Sequence, residues 1–401
     1  MVTICWGSLA KAADDTTTIE ERIETLIAEH NQDPVAHGGY GYALYWHRHE
    51  YPVDHPYGSV YNPHVVTPAR ASQAIVGTGA DADFDNIDDA AEYISEIGGG
   101  KILVRPGKYT LSSTVHLHSN TELVGTGANE VTVVTDDSKY ISISGSAGSY
   151  KNNVRIAGIK FDCEANDTFD ESIYASYVEN ITVENCDFYG ADTSGVTYST
   201  GITFFSVNDW TIRNCFFKYI YRALAASSTT RGEFLFNKVE YCSDNAIRLF
   251  GTKYTVIDNN FINCYVEGDP ILVTNSSYTI GITNNRLVAG NDYIVEVVNS
   301  NSIQIFGNSL IQTTNYSAIK LDADSYDSHM IGNMINNINT RGIDCAGYRN
   351  TIIGNSISSC TGAGVQLWSG SDNNVVVANT TASVSSPVVN NGTNNEVAHN
   401  T

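Results

Sequence analysis

The sequence has few charged residues and is especially poor in basic ones. Only 16% of its 401 residues are charged, and 22 Lys and Arg stand against 44 Asp and Glu, for a formal net charge of -22. Globular proteins are typically about 25% charged. Binding to nucleic-acid phosphates or to an anionic bilayer requires clustered Lys and Arg. The composition therefore excludes nucleic acid as a partner and argues against a membrane.

Long hydrophobic runs are missing as well. No stretch approaches the ~18 consecutive apolar residues that a membrane span needs. Residues 1–13 lack the basic region and the apolar core of a secretory signal. We therefore expect a chain with no membrane span and no signal peptide.

Cysteines are few, and their spacing does not pair them. The sequence contains no Cys-x-x-Cys pair, which argues against a zinc site and against a small disulfide scaffold. We predict small, buried, free thiols, as expected for a protein assembled in a reducing cytoplasm. The eight positions are Cys5, Cys163, Cys186, Cys215, Cys242, Cys264, Cys345 and Cys360.

What the sequence does contain is an internal repeat from about residue 150 onwards. Short β-branched runs are followed by Asn, one further residue and an apolar residue, and successive Asn positions lie 22 to 25 residues apart. The runs are too short for helices, whereas a coil of three short parallel strands uses about that many residues. Stacked Asn side chains can form a hydrogen-bonded ladder. The repeat predicts such a ladder at Asn214, Asn237, Asn260, Asn285, Asn308, Asn333, Asn355 and Asn379.

A second set of strands has the same period. Segments such as Ile247–Phe250 and 295–298 are apolar at their first and third positions. Those side chains should face inward, while the second and fourth face outward and form two columns up the stack. The register of the coil around 222–228 stays open.

The repeat and the segment before it resemble the right-handed parallel β-helix of the pectate-lyase-like superfamily. A short helical stretch near 87–97 leads into GGGKILVRPGKY at 98–109 and LVGTG at 123–127. The helix would cap the open end of the stack. The resemblance implies an all-β fold, a right-handed parallel β-helix of about ten coils over residues 73–401. It implies no single chemistry, because the superfamily includes lyases, hydrolases, epimerases and adhesins.

Residues 1–72 differ in composition. Thr18 and Glu21 form a capping box for a short amphipathic helix, which would pack on a symmetry mate or on its own β-helix. The segment 30–37 (HNQDPVAH) is similar to a His-x-x-Asp-Pro-x-Ala-His element of tail-fibre proteins of tailed viruses. We interpret 1–72 as an N-terminal helix followed by an attachment collar.

Two histidine pairs have an i, i+2 spacing, His47 with His49 and His116 with His118. On a threefold axis either pair could offer six imidazoles to a metal ion. The alternative is polar residues in the collar or on a strand face, which we prefer, so no metal or cofactor is predicted.

The outward columns supply the candidate site residues. Glu296 and Asp344 should lie two coils apart, roughly 9.6 Å, near the upper limit for an inverting pair of carboxylates. Lys320 between them could act as a base in β-elimination from a uronic acid if burial lowered its pKa, and Asp322 lies close by. The same row is also what a self-neutralising surface ladder looks like. Residues that could contact sugar rings, or pack laterally instead, are Tyr174, Phe205, Arg248, Phe250, Gln366 and Trp368.

These features together favour a tail fibre or tail spike of a tailed virus. We expect a homotrimer, assembled in the host cytoplasm and located in the virion tail, that binds a cell-surface polysaccharide. It would join other tail proteins through its N-terminal region. Whether it also cleaves the glycan stays open. One alternative is a stand-alone polysaccharide lyase or glycoside hydrolase, and another is a structural surface or filament protein.

Overall fold

The computed structural model describes residues 72–135, 139–163, 171–190, 199–264, 268–313 and 315–401. Within them the chain is an all-β parallel solenoid of about 13 turns, where about ten were predicted. Ser72–Thr401 form one compact unit. The predicted N-terminal helix, the 30–37 element and the His47/His49 pair lie outside the described residues.

Three faces run the length of the solenoid, and a regular turn gives one strand to each. In the described chain, two long strands, Glu171–Glu184 and Thr200–Arg213, continue from face 1 into face 2. The other strands of face 1 are Val115–His116, Ile141–Ser144, Arg222–Ser227, Ile247–Phe250, Ile271–Thr274, Val295–Val297, Ile319–Leu321, Ile343–Cys345, Ala363–Leu367 and Ser386–Asn390.

Face 2 follows face 1 in each turn, and face 3 follows face 2. The other strands of face 2 are Gln73–Val76, Gly100–Val104, Thr121–Gly125, Lys151–Ala157, Thr230–Leu235, Lys253–Asp258, Tyr278–Thr283, Asn301–Phe306, His329–Ile331, Thr351–Ile353, Val375–Val377 and Glu396–Ala398. The strands of face 3 are Gly107–Thr110, Val131–Thr135, Lys160–Cys163, Asp187–Tyr189, Phe216–Lys218, Lys238–Glu240, Phe261–Cys264, Arg286–Ala289, Ser309–Thr313, Met334–Ile338, Ser356–Cys360 and Thr380–Ala382.

One helix, Ile87–Glu96, covers the start of the stack. Asn86 caps it, because its side-chain oxygen accepts a hydrogen bond from the Asp89 backbone N–H at 2.8 Å. The helix buries Ile87 and Ile94 against the first turns. It lies where the sequence predicted a capping helix. Within the described residues, no helix is long and apolar enough to cross a bilayer.

The core is a column of stacked side chains. Phe161, Phe188, Phe217 and Phe234 stack on successive turns with ring centroids 5.1, 4.6 and 6.0 Å apart. Such offset stacking adds to the stabilisation from burying the rings. The seven described cysteines are all buried.

The Asn ladder forms at the corner between faces 2 and 3. The backbone N–H and the side-chain NH₂ of Asn260 both donate to Asn285 Oδ1, each at 2.9 Å. The same pattern continues through the buried Asn308, Asn333, Asn355 and Asn379 to Asn400.

The predicted ladder position at Asn214 is wrong by one residue. Cys215 occupies the ladder place, and its N–H donates to Asn237 Oδ1 at 2.9 Å. Asn214 lies in the preceding column, where the backbone is left-handed, with φ of 53°. Asn259 and Asn284 occupy that same column. Two adjacent columns are therefore rich in Asn, and only the second forms the buried ladder.

Candidate functional site

Face 1 brings three of the predicted catalytic residues into one row. Glu296 pairs with Lys320 on the next strand, and Lys320 pairs with Asp344. Gln366 follows Asp344, and Arg248 lies two strands before Glu296. The register left open around 222–228 is settled, because Ala225 pairs with Arg248.

Glu296 and Lys320 form an ion pair, with Lys320 Nζ 2.7 Å from Oε1. The ammonium also lies 4.6 Å from the ring centroid of Tyr293. Partial burial lowers the pKa of Lys320, but the hydrogen bond and charge of Glu296, with Tyr293, outweigh it, so the net pKa is raised. A lysine base for β-elimination needs the opposite shift. Lys320 is therefore a charged partner of Glu296 in this structure.

Asp344 is enclosed by donors. Arg341 donates from Nε to Oδ1 at 2.5 Å and from Nη2 to Oδ2 at 2.9 Å, and Ser317 Oγ donates to Oδ2 at 2.5 Å. The residue is only 5% exposed. Both oxygens are thus engaged, which is unfavourable for a base that must bind a catalytic water.

Asp322 lies apart from this row. Its Oδ1 accepts hydrogen bonds from the Asn299 N–H at 3.0 Å and from Ser325 Oγ at 2.6 Å. These contacts hold the corner between faces 1 and 2. The structure therefore gives Asp322 a role in the turn.

The aromatic candidates are spread along the face. Phe205 and Phe250 share the second outward column, separated by Ser227, and are 38% and 37% exposed. Trp368 is 41% exposed near the other end, and the Arg341 guanidinium lies 5.2 Å from its ring. Tyr174 packs edge-on against Tyr140 with ring centroids 6.4 Å apart.

Gln366 and Arg248 differ in availability. Gln366 is buried, and its Nε2 donates to the Leu367 carbonyl at 3.0 Å. Arg248 has a buried Nε without a hydrogen-bond partner. Arg222, on the preceding strand of face 1, is paired with Asp244. The Nε of Arg222 likewise has no hydrogen-bond partner, so both arginines keep a donor that the described residues do not use.

Two carboxyl groups that the strand pattern did not single out lie where the chain turns into face 1. Asp269 is 3% exposed. Its Oδ2 accepts from Asn245 Nδ2 at 3.3 Å, whereas Oδ1 is buried with no donor. Burial, together with Asp292 and Glu296, raises its pKa to about 9. Burial is also the main cause of the raised pKa of Asp292. At neutral pH Asp269 therefore holds a proton.

A sequence signal for these residues did exist. Asp244, Asp269 and Asp292 are 25 and 23 residues apart, which is the spacing of the repeat itself. They lie in turns, outside the alternating strand positions. Alternation predicts which strand side chains point outward, but it does not place a turn residue.

Metal ligation finds little support in the part of the chain that the structure describes. It contains no group of three or more His, Cys, Asp or Glu that could hold a metal ion. His118 Nδ1 lies 3.1 Å from Lys151 Nζ, and burial, with that cation, lowers the His118 pKa. Such a neighbour disfavours a second cation at His116 and His118.

A shallow depression of about 360 Å³ lies on face 2 and shares no residue with the carboxyl cluster. Its lining includes Asp209 and Arg231, which form an ion pair, and the exposed Tyr254. The face 1 cluster carries the carboxyl groups whose pKa is raised, so we place the candidate site there.

Comparison with known proteins agrees with this architecture. The family described as "Right handed beta helix region" matches residues 140–310 and 232–381, together more than half of the chain. The chain belongs to the right-handed β-helix family. No curated protein matches the sequence.

Several solved β-helix structures are similar. The A-module of a mannuronan C-5 epimerase of Azotobacter vinelandii has a TM-score of 0.68 at 16% identity, over 78% of this chain and 93% of that one. Tailspike protein 3 of bacteriophage CBA120 has 0.60 at 16%, over 82% and 61%. The catalytic domain of a GH87 α-1,3-glucanase has 0.58 at 14%, over 83% and 69%. Identities this low show a shared fold alone.

Proposed function

We propose that this β-helix protein is the glycan-binding part of a viral tail spike or tail fibre, and that it holds an extended cell-surface polysaccharide along face 1. The observation that carries this proposal is the row of exposed aromatic side chains beside charged groups on one rigid face. Phe205 and Trp368 are seven strand spacings apart, about 34 Å. A flat face of that length suits several consecutive sugar rings of an extended chain.

The chemistry of face 1 fits a carbohydrate ligand. The exposed faces of Phe250 and Trp368 can stack on sugar rings. Arg248 adds a cation whose Nε has no hydrogen-bond partner in the described structure, and its guanidinium suits hydrogen bonds to sugar hydroxyl or carboxylate oxygens. The likeness of the fold to a bacteriophage tailspike supports the same function, as do the buried thiols, which suit assembly in a reducing host cytoplasm.

Residues 1–72 complete the proposal. We assign to them trimer formation and attachment to other tail proteins in the virion. The support is the amphipathic pattern that follows Thr18 and the tail-fibre-like sequence at 30–37.

Binding to purified bacterial capsular and extracellular polysaccharides, measured by calorimetry, tests the function. Phe250→Ala and Trp368→Ala should each weaken binding about fivefold, because each removes one stacking surface. Tyr254→Ala is the matched control, since Tyr254 is an exposed aromatic on face 2. Equal losses for all three variants would contradict the assignment to face 1.

Binding, oligomeric state and cleavage, measured together, separate the alternatives. A trimer that assembles but binds no polysaccharide would favour a structural filament protein. A monomer that cleaves polysaccharide would favour a stand-alone lyase or hydrolase.

A further inference from the structure

Three carboxyl groups meet where the chain enters face 1. Asp269 lies two residues before the strand Ile271–Thr274, and Asp292 lies three residues before Val295–Val297. These strands are directly paired, and Glu296 points outward from the second. The carboxyl groups of Asp292 and Glu296 both interact with that of Asp269. Burial and these two neighbours raise the pKa of Asp269 to about 9, so the cluster holds a proton at neutral pH.

Asp269 is the member that stores the proton. Its side chain is almost fully buried, and Oδ1 has no donor although Oδ2 is bonded to Asn245. A proton on Oδ1 would make this atom a donor toward the neighbouring carboxylates and remove the unsatisfied acceptor. Asp292 is more exposed than Asp269, so it is the member that can pass a proton to a ligand on the face.

Glu296 is the ion-paired member of the cluster. Lys320 holds one of its oxygens at 2.7 Å, and the ammonium is itself held above the Tyr293 ring. A protonated carboxyl group beside an ion-paired carboxylate is the arrangement of an acid and a nucleophile in glycoside hydrolysis.

We propose that Asp292 and Glu296 hydrolyse a glycosidic bond of the polysaccharide on face 1, with Asp269 as the positioning residue that stores their proton. This inference rests on the proposed function, because it needs a glycan along that face. Asp269 interacts with both other carboxyl groups. Glu296 points outward from its strand toward the glycan, so we assign it as the nucleophile of a retaining reaction.

The first step breaks the glycosidic bond. The stored proton passes from Asp269 to Asp292 and then to the glycosidic oxygen, which takes the electron pair of the breaking bond and leaves. The Glu296 carboxylate bonds to the anomeric carbon and becomes a neutral glycosyl ester. Because the ester removes one negative charge as the proton departs, the cluster keeps two negative charges throughout.

The second step consumes one water molecule. Asp292 takes a proton from the water, whose oxygen bonds to the anomeric carbon with retention of configuration. The ester bond breaks, and its electron pair returns to Glu296 as a carboxylate. The proton returns from Asp292 to Asp269. Neither step uses Asp344, which agrees with the enclosure of its carboxylate by Arg341 and Ser317.

The test uses the full-length protein and a polysaccharide that it binds by calorimetry. New reducing ends should form, and NMR of the fresh product should show the anomeric configuration of the substrate. Asp292→Asn and Glu296→Gln should slow release at least about 100-fold while the dissociation constant changes less than about threefold. Asp327→Asn is the control, because this carboxylate pairs with Arg349 at the edge of face 2 and should leave the rate unchanged.

Asp269→Asn separates storage of the proton from fold integrity. Asparagine keeps a carbonyl to accept from Asn245, so this variant should fold and bind glycan. Its rate should fall at least about tenfold, and its pH profile should lose the alkaline limb that the stored proton provides. Independently of any glycan, the infrared carbonyl band of a protonated carboxylic acid at pH 7 should be present in the wild type and absent in Asp269→Asn.

Distinct outcomes overturn distinct statements. Binding without new reducing ends overturns the hydrolytic inference and leaves the glycan-binding proposal intact. An unsaturated uronic-acid product, an inverted anomer or an unaffected Glu296→Gln variant also overturns it, as does a missing acid band in the wild type. Absence of binding to every polysaccharide tested overturns both proposals.

Discussion

Asp269 makes the stability of the folded β-helix depend on pH. Its pKa is about 9 in the folded protein, whereas an unfolded Asp titrates near ~3.9. Between these values the folded state binds a proton that the unfolded state has released, so stability falls as pH rises. Below both values the difference vanishes, because Asp269 is protonated in either state.

We therefore expect Asp269→Asn to be more stable than the wild type at pH 7, by about 2–4 kcal/mol. The gain should grow between pH ~4 and pH ~9 and disappear at or below pH ~4. Denaturant unfolding of both proteins at several pH values measures it. A gain that is the same at pH 4 and pH 8 would contradict a buried, protonated Asp269.

Gly232 leaves room for the ring of Trp210. A Cβ at this position would lie 2.0 Å from two ring atoms of the fully buried Trp210. Gly232→Ala should cost at least about 3 kcal/mol or prevent folding, because neither the strand nor the ring can move far in a packed column. Gly281→Ala is the control, since its Cβ would meet only Val256, at 3.9 Å. Similar melting temperatures for the two variants would contradict this packing.

The outward row on face 1 was predictable residue by residue, but the proton-sharing cluster was not. Strand alternation placed Glu296, Lys320 and Asp344 in one row, and the paired strands confirm that placement. Asp269 and Asp292 depend instead on how each turn bends back toward the core. That bend is set by the tertiary packing of neighbouring turns, which no local pattern records.

At the level of elements, the period of the Asn repeat predicted the solenoid and its strands, yet it placed Asn214 one residue out of the ladder. The cause is that the left-handed position before the ladder also favours Asn, as at Asn259 and Asn284. Only the ladder column is buried. The sequence pattern does not show which of two adjacent polar residues will be the buried one.

The ladder should carry much of the stability of the stack. Asn308 is buried and donates to the Ile282 carbonyl at 2.8 Å and to Asn333 at 3.0 Å. Asn308→Ala would remove both of these side-chain bonds and leave the Asn285 backbone N–H without its acceptor, at a cost of about 2–4 kcal/mol. Asn284→Gly is the matched control, because Gly307 occupies the equivalent left-handed position one turn later. Thermal unfolding that ranks the control as the less stable variant would contradict the ladder's role.

At the scale of the whole molecule, the sequence predicted too few turns for the solenoid, about ten where the structure has about 13. The regular repeat begins near residue 150, whereas face 2 already starts at Gln73–Val76. In the described early turns, Asn120, Asn153 and Asn180 form a side-chain ladder with spacings of 33 and 27 residues, which lie outside the 22 to 25 of the later repeat and hide the period. Inward residues such as Ile102 and Leu123 are fully buried like those of later turns. Burial of apolar side chains stacks these turns without the polar signal that marks the rest.

Assembly is the property that connects this fold to the proposed virion role, and the sequence assigns it to residues 1–72. Light scattering of the full-length protein should give three times the 43.5 kDa chain mass. Ile23 follows Ile19 by four residues, on one apolar side of the predicted helix. Ile23→Asp should therefore release monomers, because it places a charge in the proposed contact between helices. Thr25→Asp, on the opposite side of that helix, should leave the trimer intact.

A full-length chain that is monomeric at micromolar concentration would contradict the proposed trimer and count heavily against a tail spike. Monomers from both variants would instead indicate that any added charge in this segment prevents assembly.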